Sequence, residues 1–277
     1  MTLRADGSEI HWELDGDTAA GPVKILLIAQ GSGCVPARQS PHVQMLAEKA
    51  EGFTVLTVEK YGVDWDRRPN DPFTDCTDVH QANHTVTQRV EDVKAVLAGF
   101  ADDDIWQGDL ALFGGSEGGA VVSILAAEVP ETDAVVVFST GTGLTMAEFF
   151  PMVVPPPVAE QMQNVFDRAR ANPQSSEVAG GYALKWWADI LDRRLSDDLL
   201  AADAPVFIVH GENDRSAPVA AARAAQQAFI DAGQADRLTY KEYSGYDHQM
   251  VDEAGISHMS EVLDDVVLWL NDNTAND

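Results

Sequence analysis

Five strand-length runs of almost wholly apolar residues recur along this chain, separated by helix-length stretches. They cover residues 23–29, 54–59, 110–113, 134–138 and 206–210. A strand with one face in water alternates apolar and polar residues. A continuous apolar run instead marks a strand buried on both faces, as in parallel sheets covered by crossover helices. The intervening stretches supply such helices. Residues 41–50 carry proline near their start. Val86, Val90, Val93, Val96, Leu97 and Phe100 recur at helical spacing. Residues 118–128, 218–232 and 256–270 complete the set. Residues 7–14 alternate like an antiparallel strand before an Asp15-Gly16-Asp17 turn, and 238–243 read as the last strand. The pattern predicts an α/β fold with a mostly parallel central sheet and helices on both faces.

Residues 144–203 break this rhythm. They hold Pro155, Pro156 and Pro157, several short helical stretches and the pair Trp186-Trp187. We expect a small helical cap here, inserted into a core made of residues 1–143 and 204–277. It would cover the carboxyl ends of the strands, where open α/β sheets place their sites.

The strongest chemical signal is Gly114-Gly115-Ser116-Glu117-Gly118, which follows an apolar strand and opens a helix. G-x-S-x-G carries meaning in that setting, because a nucleophile on a tight strand–helix turn needs glycine on either side. Two further segments follow later strands: His210-Gly-Glu-Asn-Asp214-Arg-Ser-Ala-Pro218 and Tyr243-Ser-Gly-Tyr-Asp-His248. With these three motifs in this order the chain closely resembles the α/β-hydrolase superfamily, in its serine esterase and acyl-peptidase branches. The resemblance covers nearly the whole chain; only the cap is individual. It implies Ser116 as nucleophile, His248 as base and Asp214 as the acid that orients the base. A serine hydroxyl needs such a base, since it is a poor nucleophile at neutral pH. An imidazole titrates near ~6.5 and can accept that proton and return it. Asp203, Asp247 and Asp252 are weaker acids for the role. His258 falls in a predicted helix, and His210 at a strand end reads as packing or capping a loop.

The tetrahedral intermediate needs N–H donors for its oxyanion. The resemblance implies the backbone of Glu117 for one, and the loop Gln30-Gly31-Ser32-Gly33 for the other. Related hydrolases begin this loop His-Gly; here Gln30 stands in place of the histidine, which leaves the backbone donors intact. Ser32 is the first choice and Gly33 the second. Gln30, Trp186 and Trp187 are candidates for the substrate pocket, with packing of the cap on the core as the other role for the tryptophans.

The function implied is hydrolysis of a carboxylic ester through an acyl-enzyme. Thioesters and amides use the same machinery, so acyl thioesterase and small peptidase remain alternatives. A dehalogenase would carry aspartate where Ser116 stands. A reading from another class is a receptor-like member of the fold that binds a ligand without turning it over.

Composition narrows the partners. Acidic residues number 45 against 18 lysines and arginines, a net charge of −27. Such a surface repels nucleic acid and anionic lipid, so we expect neither nucleic acid nor membrane as partner, only a small ester or related acyl substrate. The acidic residues spread along the whole chain, which fits either a salt-adapted surface or a merely acidic one. Phosphate-loop and dinucleotide fingerprints are missing, so no cofactor is expected. His80 and His84 have i,i+4 spacing without a third ligand, and the acidic stretch 64–78 does not fit a calcium loop, so no metal is expected. The polar start and the lack of an apolar run near ~18 residues predict a cytoplasmic chain, export of a trimmed form being left open. Cys34 and Cys76 match no zinc or redox motif. In the hydrolase fold their loops share one edge of the sheet, so a disulfide is one expectation and two reduced thiols the other.

Overall fold

The computed structural model describes all residues except 1, 17, 19, 20, 104, 107 and 275–277. Asp17 of the expected Asp15-Gly16-Asp17 turn therefore lies outside the described residues. Two short strands, β1 (Thr2–Leu3) and β2 (Glu9–Ile10), pair antiparallel and lead into β3 (Trp12–Asp15). Then come β4 (Ile25–Ala29), α1 (Pro41–Lys49), β5 (Thr54–Val58), α2 (Asp78–Asn83) and α3 (Val86–Asp102). The central part runs β6 (Leu110–Gly115), α4 (Glu117–Glu128) and β7 (Thr132–Phe138). Between it and the last strands lie α5 (Met146–Val153), α6 (Pro156–Ala171), the hairpin β8 (Val178–Ala179) and β9 (Tyr182–Ala183), α7 (Leu184–Ile190) and α8 (Leu195–Ala201). The chain ends with β10 (Val206–Gly211), α9 (Val219–Asp231), β11 (Leu238–Tyr243) and α10 (Met259–Asn273).

Seven strands form one sheet in the order β11-β10-β7-β6-β4-β5-β3. All neighbours pair parallel except β3, which runs antiparallel on β5 at the edge. The mostly parallel α/β fold expected from the sequence is the fold observed. Its cause is visible in burial. Every residue of β4 and β10 is buried, whereas the edge strand β11 alternates. The sheet thus has two apolar faces, and each has its own core. One gathers Leu27, Leu112, Val121 and Phe229; the other gathers Leu26, Val136, Phe207 and Leu263.

The order in which successive strands join the sheet reverses at β4, with β5 added on one side and β6 on the other. Open α/β sheets bind ligands at the carboxyl ends of such a switch point. The loops after β4 and β6 are those that carry residues 30–33 and Ser116.

The last helix begins three residues later than the apolar spacing predicts. Asp252 Oδ1 accepts the N–H groups of Ala254 and Ile256, which closes a turn before the helix can start. Residues 78–83 form a helix that periodicity did not indicate. The Thr77 hydroxyl caps it by accepting the His80 N–H at 3.0 Å.

Candidate active site

Ser116 sits between β6 and α4 with φ 53° and ψ −120°. Non-glycine residues rarely adopt such a conformation, and holding it costs about 1–3 kcal/mol. The surroundings enforce it. Ser116 N–H donates to Phe138 O at 2.8 Å, and its carbonyl accepts from Gly119 N–H and the Thr140 hydroxyl, each at 2.9 Å. The close approach requires glycine. A Cβ on Gly118 would lie 1.9 Å from Ala29 O, and one on Gly114 would lie 2.2 Å from Gly118 O.

Asp214 is buried at the end of β10. Its Oδ1 accepts the N–H groups of Ser216 and Ala217 at 2.8 and 2.9 Å. Its Oδ2 accepts His248 Nδ1–H at 2.7 Å. Burial would raise this carboxyl, but bonds from His210 and His248 hold it below the usual carboxylate range. The bond on Nδ1 leaves Nε2 of His248 for proton transfer. Ser116 and His248 line one cavity of about 480 Å³. Among the described residues their side chains form no hydrogen bond with each other. Asp247 is spent on its own loop, accepting the N–H groups of Gln249 and Val251. His258 stands just before α10 and pairs with Asp252 and Glu261. Sequence reasoning missed one contact here. His210 donates to Ala217 O at 2.7 Å and also stands 3.3 Å from Asp214 Oδ2.

A second cavity, of about 290 Å³, opens from Ser116 on the side of residues 144–203. Phe149, Phe150, Tyr182, Trp186 and Trp187 wall it. The two cavities share Ser32, Ser116, Ser139 and Ser216. Both tryptophans also pack: each is 4 % exposed, Trp187 donates to Ala179 O, and Trp186 stacks near-edge-on against Trp187. Gln30 lines the larger cavity, as does Ser32, whereas Gly33 lines neither of these two and instead borders a separate small cavity with Cys76. Cys34 and Cys76 are joined in a disulfide with Cα atoms 5.7 Å apart.

Beneath the turn, Glu117 is buried, and its carboxylate is fully engaged. Oε1 accepts from His84 Nε2 at 2.9 Å and Arg89 Nη1 at 2.8 Å, and Oε2 accepts from Trp186 Nε1 at 3.0 Å. Burial opposes ionisation here, and the bonds from His84 and Arg89 more than offset it, holding the carboxyl well below its ordinary range. Burial pulls His84 itself below the ordinary imidazole range. His80 stacks on His84 with ring centroids 4.7 Å apart. No group of three or more potential metal ligands occurs among the described residues. Arg89 carried a legible signal, because it falls on the apolar stripe of α3 between Val86 and Val93. No helix among the described residues is long and apolar enough to cross a membrane.

Comparison with known proteins bears on this arrangement. The family profile Hydrolase_4, described as serine aminopeptidase S33, matches residues 80–255. No curated protein sequence matches the chain. Among solved structures, Est1E from Butyrivibrio proteoclasticus with bound ferulic acid superposes with a TM-score of 0.68 at 18% identity, and both chains are covered in full. The esterase RhEst1 from a Rhodococcus species is 18% identical with a TM-score of 0.57, covering 98% of each chain. A monoacylglycerol lipase from Paleococcus ferrophilus is 16% identical with a TM-score of 0.61, covering 96% of this chain and all of its own. At such identities the likeness is one of fold.

Proposed function

Because the chain belongs to the serine aminopeptidase S33 family of hydrolases, we propose that it cleaves carboxylic esters through an acyl-enzyme on Ser116. His248 is the general base, and Asp214 orients it. The observation that carries this reading is the 2.7 Å bond from His248 to the buried Asp214, beside a cavity that also takes in the strained Ser116. In the first step His248 Nε2 takes the hydroxyl proton as Ser116 Oγ attacks the ester carbon. The oxyanion then meets the N–H groups of Glu117 and Ser32, with Gly33 as the less favoured second donor. His248 returns the proton to the leaving alcohol. Water repeats the sequence on the acyl-enzyme and releases the acid.

The proton return decides which cavity takes which half of the substrate. His248 borders the larger cavity and not the aromatic one, so the alcohol lies in the larger cavity. The acyl group enters the aromatic cavity under residues 144–203, which act as its cap. Its five aromatic walls suit a compact acyl group bearing a ring or branches. The bound ferulic acid of Est1E, a protein of the same fold, supports this choice. An aminopeptidase would need a free carboxylate to hold the substrate ammonium. Glu117 is the one carboxylate among the described lining residues, and both its oxygens are taken. Ester hydrolysis is therefore preferred to aminopeptide cleavage, with acyl thioesters as the nearer alternative.

A panel of p-nitrophenyl esters and acyl thioesters, run beside fluorophosphonate labelling, tests the proposal. The probe should label Ser116. Ser116→Ala, Asp214→Asn and His248→Ala should each lower turnover by about a thousand-fold or more, while His258→Ala stays within about two-fold. A tenth of wild-type turnover in Ser116→Ala, or damage from His258→Ala with His248→Ala mild, overturns the assignment. An unlabelled, inactive wild type favours the ligand-binding reading.

A further inference from the structure

The chemistry above leaves a buried cluster of ionisable side chains unused. Glu59, Lys60, His84, Arg89 and Glu117 are each 9% exposed or less and lie directly under residues 30–34 and the start of α4. Two of these cations grip carbonyls of the loop after β4. Arg89 Nη2 donates to Gln30 O at 2.8 Å, and Lys60 Nζ donates to Gly33 O at 2.5 Å. A trans peptide is planar, with its C=O and N–H on opposite sides. The carbonyl of Gln30 turned to Arg89 therefore points the Gly31 N–H the other way. At the far end the same geometry sends the Cys34 N–H to Pro72 O at 2.8 Å. The Ser32 peptide is held between these two anchored peptides.

Arg89 does one thing more. While Nη2 holds the Gln30 carbonyl, Nη1 holds the Glu117 carboxylate at 2.8 Å. One guanidinium thus touches both segments that carry the oxyanion donors. Its planar fork is rigid, so the distance between its two partners is set by covalent geometry. We propose that Arg89 is a positioning residue that fixes the spacing of the Glu117 and Ser32 N–H groups in the oxyanion hole. The proposal rests on the acyl-enzyme reading of Ser116. A merely stabilising role is the competing account, and it is a weak one. A buried ion pair recovers little beyond the desolvation of its charges, and an apolar pair would fill the same space.

Arg89→Lys is the test. An ammonium keeps the charge but is a point donor and cannot span both partners. Active sites are first counted with a fluorophosphonate, so that partly unfolded protein does not enter the rate. Per titrated site, kcat should fall by about 10- to 100-fold while KM stays within about three-fold, because the oxyanion exists only past the ground state. Affinity for a trifluoromethyl ketone, whose adduct places an oxyanion in the hole, should fall in parallel with kcat/KM. A structural role would lower the number of titratable sites and leave kcat per site unchanged; that result overturns the proposal. If Arg89→Lys does not fold, Glu117→Gln takes its place. It keeps the shape, removes the charge that Arg89 grips, and should lower kcat per site by about five-fold or more. Wild-type kcat in folded Glu117→Gln overturns the proposal equally. A wild type that neither labels nor turns over esters overturns the acyl-enzyme reading and this inference together. A labelled, active wild type with an unchanged variant overturns this inference alone.

Discussion

Asp214 and Glu117 are buried carboxylates, and each is held below its ordinary range by donors around it, for Asp214 His210 of the adjoining strand and His248, for Glu117 His84 and Arg89 from other segments. His80 and His84 are buried. Burial first, then the neighbouring His84 and Lys60, pull His80 down to about 3, and burial lowers His84. All four groups hold fewer protons folded than unfolded once the pH drops below their free values, near 6.5 for the histidines, 4.5 for Glu117 and 3.8 for Asp214. Their contribution is complete above those values and is lost as the pH falls towards the folded ones. Glu59, pushed up to about 7 by burial, works in the opposite sense between pH 7 and 4.5. Acid should therefore weaken the fold gently at first and steeply below about pH 4.5, by roughly 1.4 kcal/mol per group per pH unit at most. Urea unfolding at pH 5 and pH 3.5 checks this. We expect several kcal/mol less stability at the lower pH, and equal stability at both would contradict the downward shifts of these four groups.

Among the elements, the loops after β4 and β5 carry the most consequence for the site. The first presents residues 30–33 to Ser116, and the disulfide from Cys34 to Cys76 ties it to the second across 42 residues. Closing a loop of that length in the unfolded chain stabilises the fold by about 4 kcal/mol in the chain-entropy account. The bond also anchors the end of the loop that Lys60 holds through Gly33. We expect no free thiol when the protein is titrated under denaturing, non-reducing conditions. Cys34→Ser with Cys76→Ser should lower the melting temperature by several degrees and reduce turnover more than it changes KM. Two titratable thiols would mean that the loop is held by hydrogen bonds alone, as a reducing compartment would impose.

At the scale of the molecule the charge of −27 dominates. Folding concentrates it on a compact surface, and unfolding relieves the repulsion. Exposed neighbours such as Asp102 and Asp103 feel this directly. Asp198 feels it less, since Arg193 pairs with it through two bonds. The Debye length falls from about 10 Å at 0.1 M salt to about 3 Å at 1 M. Molar NaCl or KCl should thus raise the melting temperature by several degrees, while turnover falls by no more than a few-fold, because the site groups are shielded from solvent. A melting temperature flat or falling up to about 2 M salt would leave an ordinary acidic surface. What the sequence determined by itself was everything carried by local pattern. Continuous apolar runs set the parallel sheet, and Gly114 and Gly118 marked a turn that no side chain could enter. The order of Ser116, Asp214 and His248 pointed to loops at one end of the sheet. Only the tertiary structure decided which buried charges meet. Glu117 finds Arg89, His84 and Trp186 at separations of 28, 33 and 69 residues. Such pairings depend on how α3, α4 and α7 pack together, and a buried charge must take its partner from whatever segment that packing brings within hydrogen-bond reach.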